Sequence, residues 1–481
     1  MPSRAPRAGS RHSGLAETAA TSAVRRYLRL WFTFEDRVDR RTYFVHGLAL
    51  MAVKYLVDAT VFAFVVGRLW TPLDYLAAGI SITTTRFLGM PRWLLVAMAL
   101  WALPFLWIGI TMTVRRAIDA GRSPWLSLFF FVPWVNYAFM LALSMLPSTT
   151  RPSRPERPRP HEARLPSALL SIGGGMVIGL ALPALSIFGF QRYGVMLFVA
   201  TPFAVGAITA WIFNLRYPAS WSETAEVVTM TLVFICGTLV LVAVEGVLCV
   251  AMVLPLAVVA ALMGGVVGRW IALRDTSPIG EGLLALAILP IGVAIEPMPA
   301  PVELREVMSV VEIDAPPSAV WRRVIEFPPL PAPTELPFRL GIAYPMHARI
   351  EGRGVGAIRH CTFSTGAFVE PITRWEDERV LAFDVTAQPA PLAEWSPYTR
   401  ITPPHLEGYF RTRRGEFRLI ELPGGRTRLE GRTWYELELH PAGYWMIWSD
   451  ALIERIHRRV LLHIESLAES DVRRGAAAGA P

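Results

Sequence analysis

Over roughly its first 300 residues the chain alternates between long apolar runs and short polar breaks, and then the period changes. Apolar runs fall at Tyr43–Val66, Trp93–Val114, Leu126–Leu146, Ala168–Phe188, Val195–Phe213, Val227–Val244 and Val247–Val267. Each is close to the roughly 20 residues that carry an α-helix across a hydrocarbon core. An eighth run, Gly282–Ile295, is shorter and is interrupted by Pro290. From about Val302 the pattern is that of a soluble unit. A strand, Arg305–Ile313, leads through Asp314-Ala-Pro-Pro-Ser318 into a predicted helix, Ala319–Phe327. Asp314 and Ser318 are of the type that caps a helix, and proline in a first turn loses no needed N–H.

Strand-like runs follow at Met346–Glu351, Val355–Ser364, Phe368–Trp375, Val380–Ala387, Gly415–Leu422 and Thr427–Leu439. Pro423-Gly-Gly425 joins the last two as a hairpin. A helix from Ala442 to about Ser470 closes the unit. On it Trp445, Trp448, Leu452, Ile456, Val460, His463 and Leu467 recur every three or four residues, so they share a face.

This order, with Ile313-Asp-Ala-Pro-Pro-Ser-Ala-Val-Trp321 at the first strand–helix join, resembles the START/polyketide-cyclase superfamily (SRPBCC, the helix-grip fold). The resemblance implies an α+β domain, a curved antiparallel sheet around a long C-terminal helix with a hydrophobic cavity between them. It does not imply one activity, since the superfamily includes lipid carriers, cyclases, hydroxylase subunits and binding proteins. The first third resembles the YhaH-like family of bacterial inner-membrane proteins. That likeness is carried by Phe34, Arg37, Arg40 and Tyr43, then by Arg115 or Arg116, Asp119, Gly121, Ser123, Trp125 and Pro133. Ile118 stands where that family usually has His. The family's function is unknown, so the likeness implies architecture only.

The domain plan is therefore a disordered tail (1–23), a three-span membrane domain (24–146), a linker (147–166), a second membrane domain of four to five spans (167–298), the helix-grip unit (302–470) and a tail (471–481). The linker interleaves Arg151, Arg154, Arg157 and Arg159 with prolines, which favours extended polyproline II. Eight spans with both termini cytoplasmic are expected, and the C-terminal unit then lies in the cytosol. Arginines before the first and third spans obey the positive-inside rule. The Arg/Pro linker does not, because three spans would leave it outside.

Composition narrows the class. The 481 residues are 53% hydrophobic and 18% charged, with mean hydropathy +0.39, too apolar for a soluble protein. The net charge of +8 is spread over loops and termini, which fits membrane-flanking arginines better than nucleic-acid binding, and no nucleic-acid partner is expected. Lys54 is the only lysine, a coding bias that fits a bacterium. Cys236, Cys249 and Cys361 show neither a disulfide framework nor metal-ligand spacing, so no metal or other cofactor is expected. Gly352-Arg-Gly-Val-Gly356 joins two strands and reads as a hairpin rather than a phosphate loop.

Candidate ligand residues come from alternation. Leu429, Gly431, Thr433, Tyr435 and Leu437 share the face of the last strand that meets the closing helix. Gly431, Thr433 and Tyr435, opposite Trp445 and Trp448 and beside Phe417, would line the cavity. Thr433 and Tyr435 either meet a ligand or hydrogen-bond within the core. The long connection Gln388–Arg413 carries Trp395 and Tyr398 as a lid, a membrane-surface contact or a packed excursion. Two readings of function stand beside a hydrophobic ligand, lipid or isoprenoid-like, handled at the lipid bilayer. One is a cyclase/dehydrase-type enzyme using Glu370, Arg359, His360 or Tyr435, and the other is a scaffold with a filled core. Lys54 and Asp58, four apart in the first span, are expected to neutralise each other. Glu245 lies either in a turn at the interface or within the membrane.

Overall fold

The computed structural model describes residues 24–33, 37–71, 91–131, 135–149, 164–190, 192–216, 218–241, 244–274, 291–292, 304–395, 403–406 and 408–478. The membrane region contains α1 (Arg40–Val66), α2 (Arg92–Asp119), a 3-10 segment (Pro124–Phe131) and α3 (Val135–Met145). These are followed by α4 (Arg164–Ala184), α5 (Thr201–Arg216), α6 (Trp221–Leu241) and α7 (Val247–Arg274). Among the described residues five helical stretches are long and apolar enough to cross a membrane: Arg40–Val66, Ser167–Gly189, Met196–Leu215, Trp221–Val240 and Val247–Arg274.

The expected span Leu126–Leu146 is not one helix. It breaks into the 3-10 segment and α3, and Phe129 stacks on Phe139 at 5.1 Å, so the two pieces lie side by side. The far end of this segment returns to the C-terminal end of α2, from which the segment starts. Arg116 Nε donates to Leu143 O (2.9 Å), and the Thr149 N–H donates to Asp119 O (2.7 Å). A hydropathy run of the right length therefore folds back on itself instead of crossing. The expected span Gly282–Ile295 lies almost wholly outside the described residues.

Helix direction follows from which ends meet. Tyr43, near the start of α1, hydrogen-bonds Thr113, near the end of α2 (3.0 Å), while Phe62, Trp70 and Leu94 share one core at the opposite ends. Arg269 at the end of α7 donates to Ala219 O, between α5 and α6 (2.9 and 2.8 Å). α5 and α7 touch backbone to backbone. A Cβ on Gly264 would lie 1.9 Å from Phe203 O, and one on Gly268 would lie 1.9 Å from Ala207 O. Two glycines four residues apart on α7 thus let the helices meet closely.

The C-terminal domain is the expected helix-grip fold. β1 (Arg305–Ile313), α8 (Pro317–Ile325), β2 (Pro345–Glu351), β3 (Ile358–Phe363), β4 (Gly366–Glu376), β5 (Val380–Asp384), β6 (Phe410–Leu422) and β7 (Arg426–Leu437) precede α9 (Ala442–Ala478). The seven strands form one antiparallel sheet in the order β1-β7-β6-β5-β4-β3-β2. The β6–β7 turn places Gly424 and Gly425 at φ 86° and 71°, which explains the glycine pair. Two local expectations fail. α8 starts after Pro316 with no side-chain cap, so Asp314 and Ser318 do not cap it. α9 runs to Ala478, so residues 471–478 are helical rather than part of a tail.

The sheet's concave face, α8 and α9 enclose a core built on Trp321, Leu381, Leu429, Leu461 and Ile464. The opposite face of β7 carries a charge ladder, in which Glu430 accepts from Arg432 (2.8 Å) and pairs with Arg428 (3.2 Å). The domain docks on the membrane helices through the first turns of α9. Trp445 packs on Phe198 (5.0 Å), Tyr444 donates its hydroxyl to Met252 O, and the His440 N–H donates to Tyr193 O (3.0 Å).

Candidate functional site

A cavity of about 340 Å³ runs from the helix-grip core into the docked membrane helices. Its domain wall includes Phe417, Gly431, Thr433, Trp445, Trp448, Leu452 and His457, and its membrane wall includes Pro183, Phe198, Leu239, Met252 and Val253. The membrane contributions come from one end of the helix array: the end of α4, the start of α5, the end of α6 and the start of α7. Loop connectivity alone brings those four ends to one level.

The wall is apolar with a few polar groups. Arg359 and Glu370 are register partners on β3 and β4 and form a buried ion pair pointing into the cavity. Arg359 also lies against the rings of Phe327 (5.7 Å), Phe383 (5.4 Å) and Phe417 (5.6 Å), a setting that suits a planar cation. Burial pushes the Glu370 carboxyl above its usual range, and Arg359 pulls it part of the way back. Burial also pushes the neighbouring Cys361 thiol up to about 12, which makes it inert. Farther along, Thr433 Oγ1 meets His457 Nε2 (2.7 Å), and His457 Nδ1 meets Ser309 Oγ (3.2 Å). Burial with neutral partners holds His457 down to about 4, so its ring is neutral at pH 7.

Of the residues expected from sequence, Phe417, Gly431, Thr433, Trp445, Trp448, Arg359 and Glu370 all line the cavity. Tyr435 does not. Its hydroxyl donates to Asp450 Oδ1 (2.8 Å), which also accepts from Arg305 Nε (3.0 Å), so Tyr435 belongs to a closed polar network in the core. His360 points to the other side of the sheet, half exposed, with its Nε2 3.8 Å from Glu351. Trp395 is 52% exposed and off the cavity wall, although its carbonyl accepts the Val247 N–H at the start of α7 (2.9 Å). Tyr398 lies outside the described residues. Lys54 and Asp58 form the expected ion pair on α1.

Glu245 sits in the turn between α6 and α7, the interface placement, and faces His405 (Nδ1 to Oε2, 3.3 Å). His405, Cys249 and Tyr193 also belong to this wall, and sequence reasoning missed all three. The one available signal was His405 itself, an isolated imidazole inside the long proline-rich connection.

Comparison with known proteins gives a partial frame. Residues 31–154 match the family model described as "Protein of unknown function (DUF805)". No curated protein matches the chain. Among solved structures, the Zhui aromatase/cyclase of Streptomyces sp. R1128 is similar at 17% identity, covering 37% of this chain and 100% of that one, with a TM-score of 0.25. A norcoclaurine synthase point mutant of Thalictrum, in complex with a transition-state analogue, is similar at 10% identity, covering 35% and 96%, with a TM-score of 0.24. A protein from Nitrosomonas europaea is similar at 15% identity, covering 35% and 96%, with a TM-score of 0.24. The chain thus joins a DUF805-matching membrane segment to a helix-grip domain through a second set of membrane helices.

Proposed function

We propose that this is a bacterial inner-membrane protein whose helix-grip domain binds a hydrophobic molecule, lipid or isoprenoid-like, and exchanges it with the bilayer. The observation that carries the reading is the shared cavity, walled by the half-barrel on one side and by apolar helix ends on the other. A carrier that works away from the membrane would need a closed domain core. Here the apolar path continues into the helix array, and the cavity volume falls in the range of small-molecule sites. Arg359–Glu370 and the Thr433–His457 pair then meet a polar group on an otherwise apolar ligand.

The side of the membrane follows from charge. Arg25, Arg26, Arg29, Arg37, Arg40, Arg41, Arg115, Arg116, Arg122, Arg269 and Arg274 lie at the end away from the helix-grip domain, against Arg68, Arg92 and Arg192 at the docked end. By the positive-inside rule the arginine-rich end is cytoplasmic, which puts the helix-grip domain on the outer side. This reverses the cytosolic placement expected from span counting. The folded-back segment also removes one of the three spans counted before the linker, since Thr149 returns to the C-terminal end of α2.

A second reading, an enzyme of cyclase or dehydrase type, is favoured by one observation, the buried Glu370 carboxyl with its raised pKa beside Arg359. The test is displacement of a fluorescent fatty-acid or isoprenoid probe from the full-length protein in detergent. Saturable, stoichiometric binding supports the carrier reading, and absence of binding removes it. Turnover that Glu370→Gln abolishes while probe affinity is kept would select the enzyme.

A further inference from the structure

At the level where the helix-grip domain meets the membrane helices, three side chains of metal-ligand type converge from two distant parts of the chain. Glu245 lies in the turn before α7, Cys249 in its first turn, and His405 in the helical turn Pro404–Leu406. Cys249 Sγ is 2.7 Å from His405 Nε2, Glu245 Oε2 is 3.3 Å from His405 Nδ1, and one donor atom of each lies within 4.8 Å of the others. We propose that Glu245, Cys249 and His405 form a site for a divalent transition metal, with zinc best matched to the sulfur, nitrogen and oxygen donors.

The same three residues resemble a thiol–imidazole–carboxylate nucleophile, and the geometry decides against that. A nucleophile of this kind needs the carboxylate to orient the imidazole by a hydrogen bond. His405 Nδ1 and Glu245 Oε2 are buried facing each other and make none. The backbone N–H groups that would stabilise an oxyanion at the start of α7 are already used. Val247 donates to Trp395 O (2.9 Å), while Leu248 and Cys249 donate to the two Glu394 oxygens (3.0 Å each). Glu394 also sets a second carboxylate beside the thiol. A divalent cation at this point offsets most of the negative charge that Glu245, Glu394 and a metal-bound thiolate gather there.

The site is held rather than accidental. A Cβ on Gly246 would lie 2.0 Å from Glu394 Oε2, so glycine here permits the approach of Glu394. Tyr193 packs edge-on against the His405 ring at 5.3 Å and fixes its plane. Tetrahedral zinc, with Zn–S about 2.3 Å and Zn–N about 2.0 Å, holds those two ligand atoms about 3.5 Å apart. With Nε2 as the imidazole ligand, binding therefore opens the Cys249–His405 gap by roughly 1 Å, draws the Glu245 carboxylate from the Nδ1 edge of the ring toward the metal, and releases the Cys249 proton to solvent. Three protein ligands leave a fourth position. Since all three line the cavity, that position is open to water or to an oxygen of a bound molecule. The proposal does not depend on the hydrophobic-ligand reading, because metal retention is read without any lipid.

The test uses the full-length protein in detergent, stripped with a chelator and titrated with Co²⁺. One Co²⁺ per chain is expected, with the strong visible bands of a tetrahedral site and a near-ultraviolet thiolate-to-cobalt band. Cys249→Ser removes that band, Cys236→Ser and Cys361→Ser keep it, and His405→Gln weakens Co²⁺ binding by roughly tenfold or more. No stoichiometric uptake, or a thiolate band that survives Cys249→Ser, overturns the site. A second readout needs no variant: Zn²⁺ should protect Cys249 from alkylation, followed on its peptide by mass spectrometry. Equal alkylation with and without Zn²⁺ overturns it as well.

Discussion

Arg359 and Glu370 face each other across β3 and β4 and form a buried ion pair inside an aromatic-lined cavity. Removing one partner from a buried pair leaves a bare charge and costs about 3–5 kcal/mol, whereas replacing both by apolar residues is often near neutral. Glu370→Gln or Arg359→Met alone should therefore lower the thermal midpoint of the purified protein sharply. Arg359→Met with Glu370→Leu should recover most of the loss. A double variant as unstable as the worse single would show that the pair is not coupled.

His457 makes stability depend on pH. Its folded pKa, about 4, lies below the ordinary value of 6.5, so the unfolded chain binds the extra proton first. Stability is fully present above pH 6.5 and falls as pH drops toward 4, by at most about 3 kcal/mol. Because the ring is only partly enclosed, the observed loss should be smaller than that ceiling. Thermal midpoints measured between pH 7 and 4 should fall less steeply in His457→Gln than in the parent. Equal slopes would mean that His457 does not titrate on unfolding.

At Gly264 and Gly268 the backbone of α5 occupies the space a side chain would need. Gly268→Ala should separate α5 from α7 and cost about 1–3 kcal/mol, read as a lower midpoint in detergent. Gly237→Ala has nothing within 4 Å of the new Cβ and should be silent, so it serves as the control on α6.

The membrane side is checked with reporter fusions after Ser153 and after Ser470. The first should report cytoplasm and the second the outer side. A cytoplasmic signal from the C-terminal fusion would return the helix-grip domain to the side expected from span counting.

Much of this was legible in the chain because local rules governed it. β1 matches its expected range, and the 423–425 turn and the inward face of β7 follow from alternation and turn chemistry. The pairing of Glu370 with Arg359 depends on the β3–β4 register, which no local pattern reveals. Hydropathy measures length and not direction, so it could not show that residues 124–145 fold back. Nor could it place Cys249 against His405, which is 156 residues away in sequence. Tyr435 shows both halves of this. Its inward direction followed from period two, while its partner Asp450 depended on where α9 lies across the sheet.

On the proposed function, the cavity shared by domain and membrane helices holds a hydrophobic molecule. Native mass spectrometry of the full-length protein, released from gently solubilised membranes, measures this directly. One copurifying apolar molecule per chain is predicted, and it should be lost in Gly431→Leu. A Cβ at position 431 makes only ordinary contact with Leu461 (3.4 Å), so the longer side chain fills cavity space without breaking the sheet. A parent protein that carries no bound molecule, and takes none up from added lipid or isoprenoid, would rule out the carrier function.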